Sequence, residues 1–181
     1  MKKIPTLYAR NPERMQDILM DVHPACGWVK DGEGVVTRKY DGTCCLVKYG
    51  VLYKRRGLKA GKPDPGGFWA VDYDAVTRKT TGWVPVLDGP EDRWHREAFG
   101  DGVWPDGTYE LCGPKVQGNP EGFEIHVLVP HAEATQYDDV VRTFDGLRDF
   151  LKGMDIEGVV FHHPDGRMAK IKKRDFGQVR R

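Results

Sequence analysis

The chain has 181 residues, a length that fits one domain with one sizeable core. Lys plus Arg number 28 against 27 Asp plus Glu, a formal charge of +1, so any contact with nucleic acid has to come from a local patch and not from a global basic field. No apolar run approaches the ~20 residues of a membrane helix, and the start, Met1-Lys2-Lys3-Ile4-Pro5, lacks the apolar stretch of a secretory signal. The expectation is a soluble cytoplasmic protein with no membrane partner.

In chain order, Asn11 followed by Pro12 reads as an N-cap with proline in the first turn, predicting a helix over 11–20 that His23-Pro24 ends. Residues 27–29 and 35–38 read as neighbouring antiparallel strands around a Gly-rich turn, and residues 43–48 and 51–54 as a hairpin through Tyr49-Gly50. Residues 59–67, with two prolines and three glycines, read as a loop, and residues 91–99 as a short helix. Further strands are predicted at 108–112 and 124–129. From Asp138 the apolar residues Val140, Val141, Phe144, Leu147, Phe150 and Leu151 recur at helical spacing. The last elements read as a hairpin of 158–162 and 168–172 joined through Pro164-Asp165-Gly166. The cysteines, Cys26, Cys44, Cys45 and Cys112, lack C-x-x-C spacing and read as reduced thiols, with Cys44 and Cys45 on opposite faces of a strand.

Three segments bear chemistry. Lys39-Tyr40-Asp41-Gly42 sets an amine and a carboxylate two residues apart, and on its own is equally a surface turn. Tyr109-Glu110-Leu111 carries an acid on a β-run into the polar Gly113-Pro114-Lys115-Val116-Gln117-Gly118-Asn119-Pro120 loop. Glu157-Gly158-Val159-Val160-Phe161 precedes Lys170-Ile171-Lys172, whose lysines share one face of a strand; alone, that pair is also what protects a sheet edge.

In this order the segments resemble the signature motifs of the covalent nucleotidyltransferases, the DNA ligases, RNA ligases and mRNA capping enzymes. Lys39-Tyr40-Asp41-Gly42 is similar to the motif with the nucleophilic lysine. Tyr53-Lys54-Arg55-Arg56-Gly57 falls where the next basic motif is expected, and the later segments resemble motifs III, IV and V. The loop after Cys112, with the run to His126 and His131, is similar to RNA ligases in particular. The resemblance implies an α+β, antiparallel-sheet adenylation domain with an ATP cleft between sheets, spanning 1–181 with no appended OB-fold. It implies a ligase that joins an RNA 5′-phosphate to a 3′-hydroxyl through lysyl-AMP; a DNA ligase or capping-type enzyme is the alternative, and a non-catalytic nucleic-acid-binding module the least favoured.

By the same resemblance Lys39 is the nucleophile, Asp41 and Glu157 hold Mg²⁺ or Mn²⁺, Glu110 meets the ribose, and Lys170 and Lys172 meet the α-phosphate. Cys44 stands where DNA ligases have an arginine, so either Arg55 or Arg56 contacts the nucleotide, and Phe123 and His126 are candidates to stack on adenine, with packing in the core the favoured reading for each. Thr37-Arg38 stand where an adenine-reading acid often precedes the lysine, leaving ATP to be inferred from kinship. At an ordinary pKa of about 10.4 only roughly one lysine in 2,500 is neutral at pH 7, so neighbouring cations are expected to depress that of Lys39. Lys170, Lys172, Lys173, Arg174, Arg180 and Arg181 form a candidate RNA track or a solvated face, Lys115, Gln117 and Asn119 are candidate RNA contacts on an exposed loop, and a partner protein is a further candidate source of RNA binding.

Overall fold

A computed structural model describes residues 1–180, so Arg181 lies outside the described residues. The fold is α+β with antiparallel sheets, and the chain divides into two compact units: one of Met1–Lys3 and Asp41–Glu133, the other of Ile4–Tyr40 and the residues from Ala134 onward. No helix among the described residues is long and apolar enough to cross a membrane.

The unit built from Asp41–Glu133 is a six-stranded sheet of β4 (Thr43–Lys48), β5 (Val51–Lys59), β6 (Trp69–Asp74), β7 (Lys79–Pro85), β8 (Gly107–Cys112) and β9 (Val127–Pro130), in the order β6-β7-β5-β4-β8-β9. Strand alternation sorts its side chains. Cys45, Val47, Leu52, Tyr109, Leu111 and Leu128 form one buried face, against which Ala98 and Phe99 of α2 (Arg93–Phe99) pack. Lys54 lies on this face too, its ammonium ion-paired with the buried Asp92, whose Oδ2 accepts the Leu87 N–H at 2.9 Å. The opposite face carries Glu110, Cys44, Leu46, Tyr53 and Trp83 in register across neighbouring strands.

In the other unit β3 (Val35–Lys39), β11 (Gly158–His162), β12 (Met168–Lys172) and β10 (Gln136–Tyr137) form a sheet in the order β10-β3-β11-β12. Val36, Val159, Phe161, Ala169 and Ile171 are buried on one face with Leu147 and Leu151 of α3 (Phe144–Gly153). Each buried CH₂ removed from water contributes about 0.8 kcal/mol, so the fully buried Phe161, Ile171, Leu147 and Leu151 dominate this core. A small sheet of β1 (Tyr8–Arg10) and β2 (Ile18–Val22) completes the unit.

Four sequence expectations are corrected. Residues 11–20 are not a helix: the Asn11 Oδ1 accepts the Glu13 N–H at 2.9 Å, an Asx turn that closes the β1–β2 connection, and the same hydrogen bond can serve a cap or a turn. Residues 27–29 are not a strand but part of α1 (Gly27–Lys30), preceded by a 3₁₀ turn at Pro24–Cys26, which the His23 Nδ1 caps by accepting the Ala25 N–H. The helix expected from Asp138 begins at Phe144, where the Thr143 hydroxyl oxygen caps it by accepting the Gly146 N–H, because Gln136–Tyr137 pair with β3 and Asp139 takes a positive φ of 55°. The strand expected at 124–129 instead runs over Val127–Pro130, the residues that pair with β8, and the chain before it is loop, with the Asn119 amide donating to the Phe123 carbonyl.

Candidate active site

The strand geometry of the second unit gathers three lysines around one acid. Gly158 opposes Lys39 on one side and Lys172 on the other, and one step along Val160 opposes Thr37 and Lys170. Directly opposed residues in antiparallel strands share a face, so Lys39, Lys170 and Lys172 all stand on the face turned away from the Phe161 and Ile171 core. The Lys39 Nζ donates to the Glu157 Oε2 at 2.5 Å and to the Tyr40 carbonyl at 3.3 Å, while the Lys172 Nζ ion-pairs with the Glu157 Oε1. One carboxylate thus bridges two ammonium groups. A Cβ at Gly158 would stand 2.8 Å from the Lys172 Cα, so glycine is what lets the three strands close at this point.

Burial works to raise the Glu157 pKa, but the ammonium groups of Lys39 and Lys172 outweigh it, and the carboxyl is held below its usual range. Lys170 is pulled down to about 8, first by burial and then by the charges of Lys172 and Lys39. A lysine with a depressed folded pKa costs stability while it is charged. The cost is present below about pH 8 and is relieved as pH climbs towards the unfolded value of about 10.4. Lys170→Met is therefore expected to raise stability at pH 7 by ~1–3 kcal/mol in urea unfolding, with the gain over wild type shrinking towards pH 10. A variant less stable than wild type at pH 7 contradicts this.

The first unit carries the remaining candidates. Glu110 is buried, its Oε1 accepting the Gly42 N–H at 3.2 Å and its Oε2 lying 3.0 Å from the His131 Nε2. The Thr108 hydroxyl, 3.0 Å from the His131 Nδ1, fixes that ring in turn. Gly42 has no room for a side chain, since an added Cβ would fall 2.9 Å from the Cys112 Sγ and closer still to the Leu111 carbonyl. The Asp41 N–H donates to the Glu121 Oε1 at 2.9 Å.

Arg55 opposes Trp83 and Arg56 opposes Gly82, so the two arginines point to opposite faces of the sheet. With Cys45 paired to Lys54, one further step puts Arg55 beside Cys44, which itself opposes Glu110. Arg55, not Arg56, is therefore the arginine on the Glu110 face; its guanidinium lies 5.4 Å from the Trp83 ring and donates to the Met1 carbonyl at 2.9 Å.

His126 is buried and stacks on Trp94 at 4.5 Å between centroids. Its Nε2 accepts the Lys115 N–H at 3.2 Å and its Nδ1 lies 2.8 Å from Glu97, so the ring braces the loop 113–120. Phe123 is half-buried on that loop's return. Lys115 and Gln117 are exposed, whereas Asn119 uses its amide donors within the loop and Lys173 turns inward to donate to the Met154 carbonyl at 2.6 Å. Asn119 and Lys173 thus each spend a donor on an internal carbonyl, Lys173 from a buried position.

Glu121 and the His131–Thr108 pair escaped sequence reasoning as site residues. Glu121 meets Asp41 across 80 positions of chain, and no spacing rule encodes such a contact. Among the described residues no group of three or more His, Cys, Asp and Glu side chains gathers as a metal-binding set.

Chemically, three lysine side chains sharing one carboxylate are a local excess of positive charge, which attracts anions. No protein-family model matches the chain. Over 82 residues, 39% of this chain, it is 29% identical to RNA ligase 1 of Pongo abelii, 30% to RNA ligase 1 of Rattus norvegicus and 32% to RNA ligase 1 of Danio rerio. The match spans 24% of the length of each of these curated relatives, so the likeness to RNA ligases is that of a segment.

Proposed function

We propose that this chain is a covalent nucleotidyltransferase of the RNA ligase type, using ATP to activate an RNA 5′-phosphate for joining to a 3′-hydroxyl. The observation that carries the reading is the shared carboxylate: Lys39 ends β3 in contact with Glu157, which also holds Lys172, with Lys170 one pair along the same face. The segmental likeness to proteins named RNA ligase 1 supports it.

In the first step the neutral Lys39 amine attacks the α-phosphorus of ATP. A nitrogen–phosphorus bond forms, the bond to the β-phosphate oxygen breaks, pyrophosphate leaves, and the amine's extra proton passes to solvent. Lys39 is ion-paired with Glu157, so this contact parts before attack, and Lys170 and Lys172 stand on the same face beside it. The same two cations neutralise charge building on the α-phosphate. Glu110 accepts from a ribose hydroxyl, and Arg55 contacts the nucleotide from the same sheet face. In the second step an RNA 5′-phosphate oxygen bonds to the AMP phosphorus, the nitrogen–phosphorus bond breaks and the Lys39 amine leaves with a proton from solvent; in the third a 3′-hydroxyl oxygen bonds to the RNA 5′-phosphorus, the bond to AMP breaks, AMP leaves and the hydroxyl proton passes to solvent.

The hard carboxylate oxygens of Asp41 and Glu157 are of the type that suits hydrated Mg²⁺ or Mn²⁺, directly or through water. Such a metal, when bound, supplies charge neutralisation at the phosphates. The test is incubation of the protein with α-³²P-ATP or α-³²P-GTP and Mg²⁺ or Mn²⁺. Covalent label from ATP that is acid-labile and alkali-stable is expected. Label from GTP alone moves the chain to the capping type, and no label from either contradicts the reading.

A further inference from the structure

The tip of the β4–β5 hairpin breaks a local rule. Its two turn residues, Tyr49 and Gly50, have φ of 51° and 73°, the mirror-image turn in which Asn-Gly is favoured because a side chain on a left-handed backbone is strained. Tyrosine here forgoes stability, the residue is 84% exposed, and the Tyr49 N–H donates to the Asp106 Oδ1 at 2.8 Å, which holds the turn in place. Neither the core nor the sites described above uses that ring.

Beside it stands a second exposed aromatic. Trp69 is 44% exposed on β6 and opposes Trp83, which opposes Arg55, so it lies on the sheet face that carries Glu110. The Lys48 ammonium lies 5.2 Å from the centre of the Tyr49 ring and 4.9 Å from that of Trp69, and Tyr53 meets Trp69 edge-on at 6.4 Å. Two exposed aromatic residues thus flank one cation. Acids near this surface are engaged: Asp72 accepts the Lys3 N–H, Asp74 pairs with the Lys3 ammonium at 2.7 Å, and Asp106 is committed to the Tyr49 turn.

We propose that Tyr49, Trp69 and Lys48 form a stacking platform for unpaired bases of an RNA strand, continuous with the sheet face that bears Arg55 and Glu110. Bases stack on the two rings and Lys48 meets the intervening phosphate, a combination that binds single strands with little sequence preference. Duplex RNA, whose bases are already stacked on one another, gains nothing from the rings. The inference rests on the RNA ligase reading for its choice of strand, and it adds where that strand lies.

The experiment measures binding of fluorescein-labelled oligo(U) RNA and of a blunt RNA duplex by anisotropy, with the full chain and with Tyr49→Asn and Trp69→Leu. Both substitutions preserve charge, and asparagine suits the positive φ, so Tyr49→Asn should melt no lower than wild type. Stacking is worth about 1–3 kcal/mol per base, so each variant should bind oligo(U) about tenfold more weakly, with duplex binding little changed. Oligo(U) affinity unchanged in both variants overturns the platform, as does an equal fall for single strand and duplex. Lysine labelling by ATP needs no RNA and is run in parallel on the wild type. Its failure would count against the nucleotidyltransferase reading, while the binding data still judge the platform.

Discussion

Glu157→Gln is expected to destabilise the protein by about 3–5 kcal/mol at pH 7, because it removes a carboxylate shared by Lys39 and Lys172 and leaves their ammonium groups partly buried without it. Against a typical total of about 5–15 kcal/mol this is a large fraction, readable as a fall in the urea midpoint. The acid limb carries a second signature. The Glu157 carboxyl is held below its usual range in the folded protein, so its stabilising effect is fully present above an unfolded pKa of about 4.3 and is lost as pH falls through the folded value. The gap between wild type and variant should therefore narrow on acidification below about pH 4. A variant as stable as wild type at pH 7 would mean that the bridging carboxylate contributes nothing net.

The second large effect is on chemistry. Lys39→Ala should reduce covalent labelling by ATP by at least about 10³-fold, the order expected when a covalent nucleophile is removed. Lys39→Arg should not restore it: a guanidinium keeps its charge at any working pH and offers no free amine. The comparison has a built-in control, because Lys170 and Lys172 share the face with Lys39 and remain in both variants. Residual labelling near the wild-type level would show that one of them, or a lysine elsewhere, is the acceptor. The stability readout ranks the two positions the other way, since removing one of three clustered cations costs less than removing a carboxylate that two of them share.

Where the sequence was legible, local chemistry and strand alternation agreed. Residues 158–162 and 168–172 form the expected hairpin, because Val159, Val160 and Phe161 favour a strand, Met168–Lys172 alternates, and Pro164-Asp165-Gly166 turns the chain. The alternation in Lys170-Ile171-Lys172 sends Ile171 into the core and both lysines to the other face. The Tyr49-Gly50 hairpin was legible for the same reason, although nothing local revealed what the tyrosine ring sits beside.

Other elements were hidden by ambiguity. Ile18 and Val22, four residues apart, suit one face of a helix and equally one face of a strand, and partnership with β1 decides the matter. Strands β6 and β7 escaped notice because β6 is half exposed, with a register shift between Ala70 and Asp72, and so lacks clean alternation. At the candidate site, the face each arginine of Arg55-Arg56 takes depends on the pairing of β5 with β7, which a linear reading cannot supply. The contacts of Asp41 with Glu121 and of Glu110 with His131 are likewise long-range, made by strands and loops that meet only in the fold.

The most direct measurement is the position of the adduct. Wild-type protein is incubated with ATP and divalent metal, digested under alkaline conditions that spare a phosphoramide, and its peptides are sequenced by tandem mass spectrometry. An AMP group on the peptide containing Lys39, at Lys39 itself, is the expected result. AMP carried on Lys170, Lys172 or any other residue, with Lys39 unmodified, would contradict the assignment of Lys39 as the nucleophile.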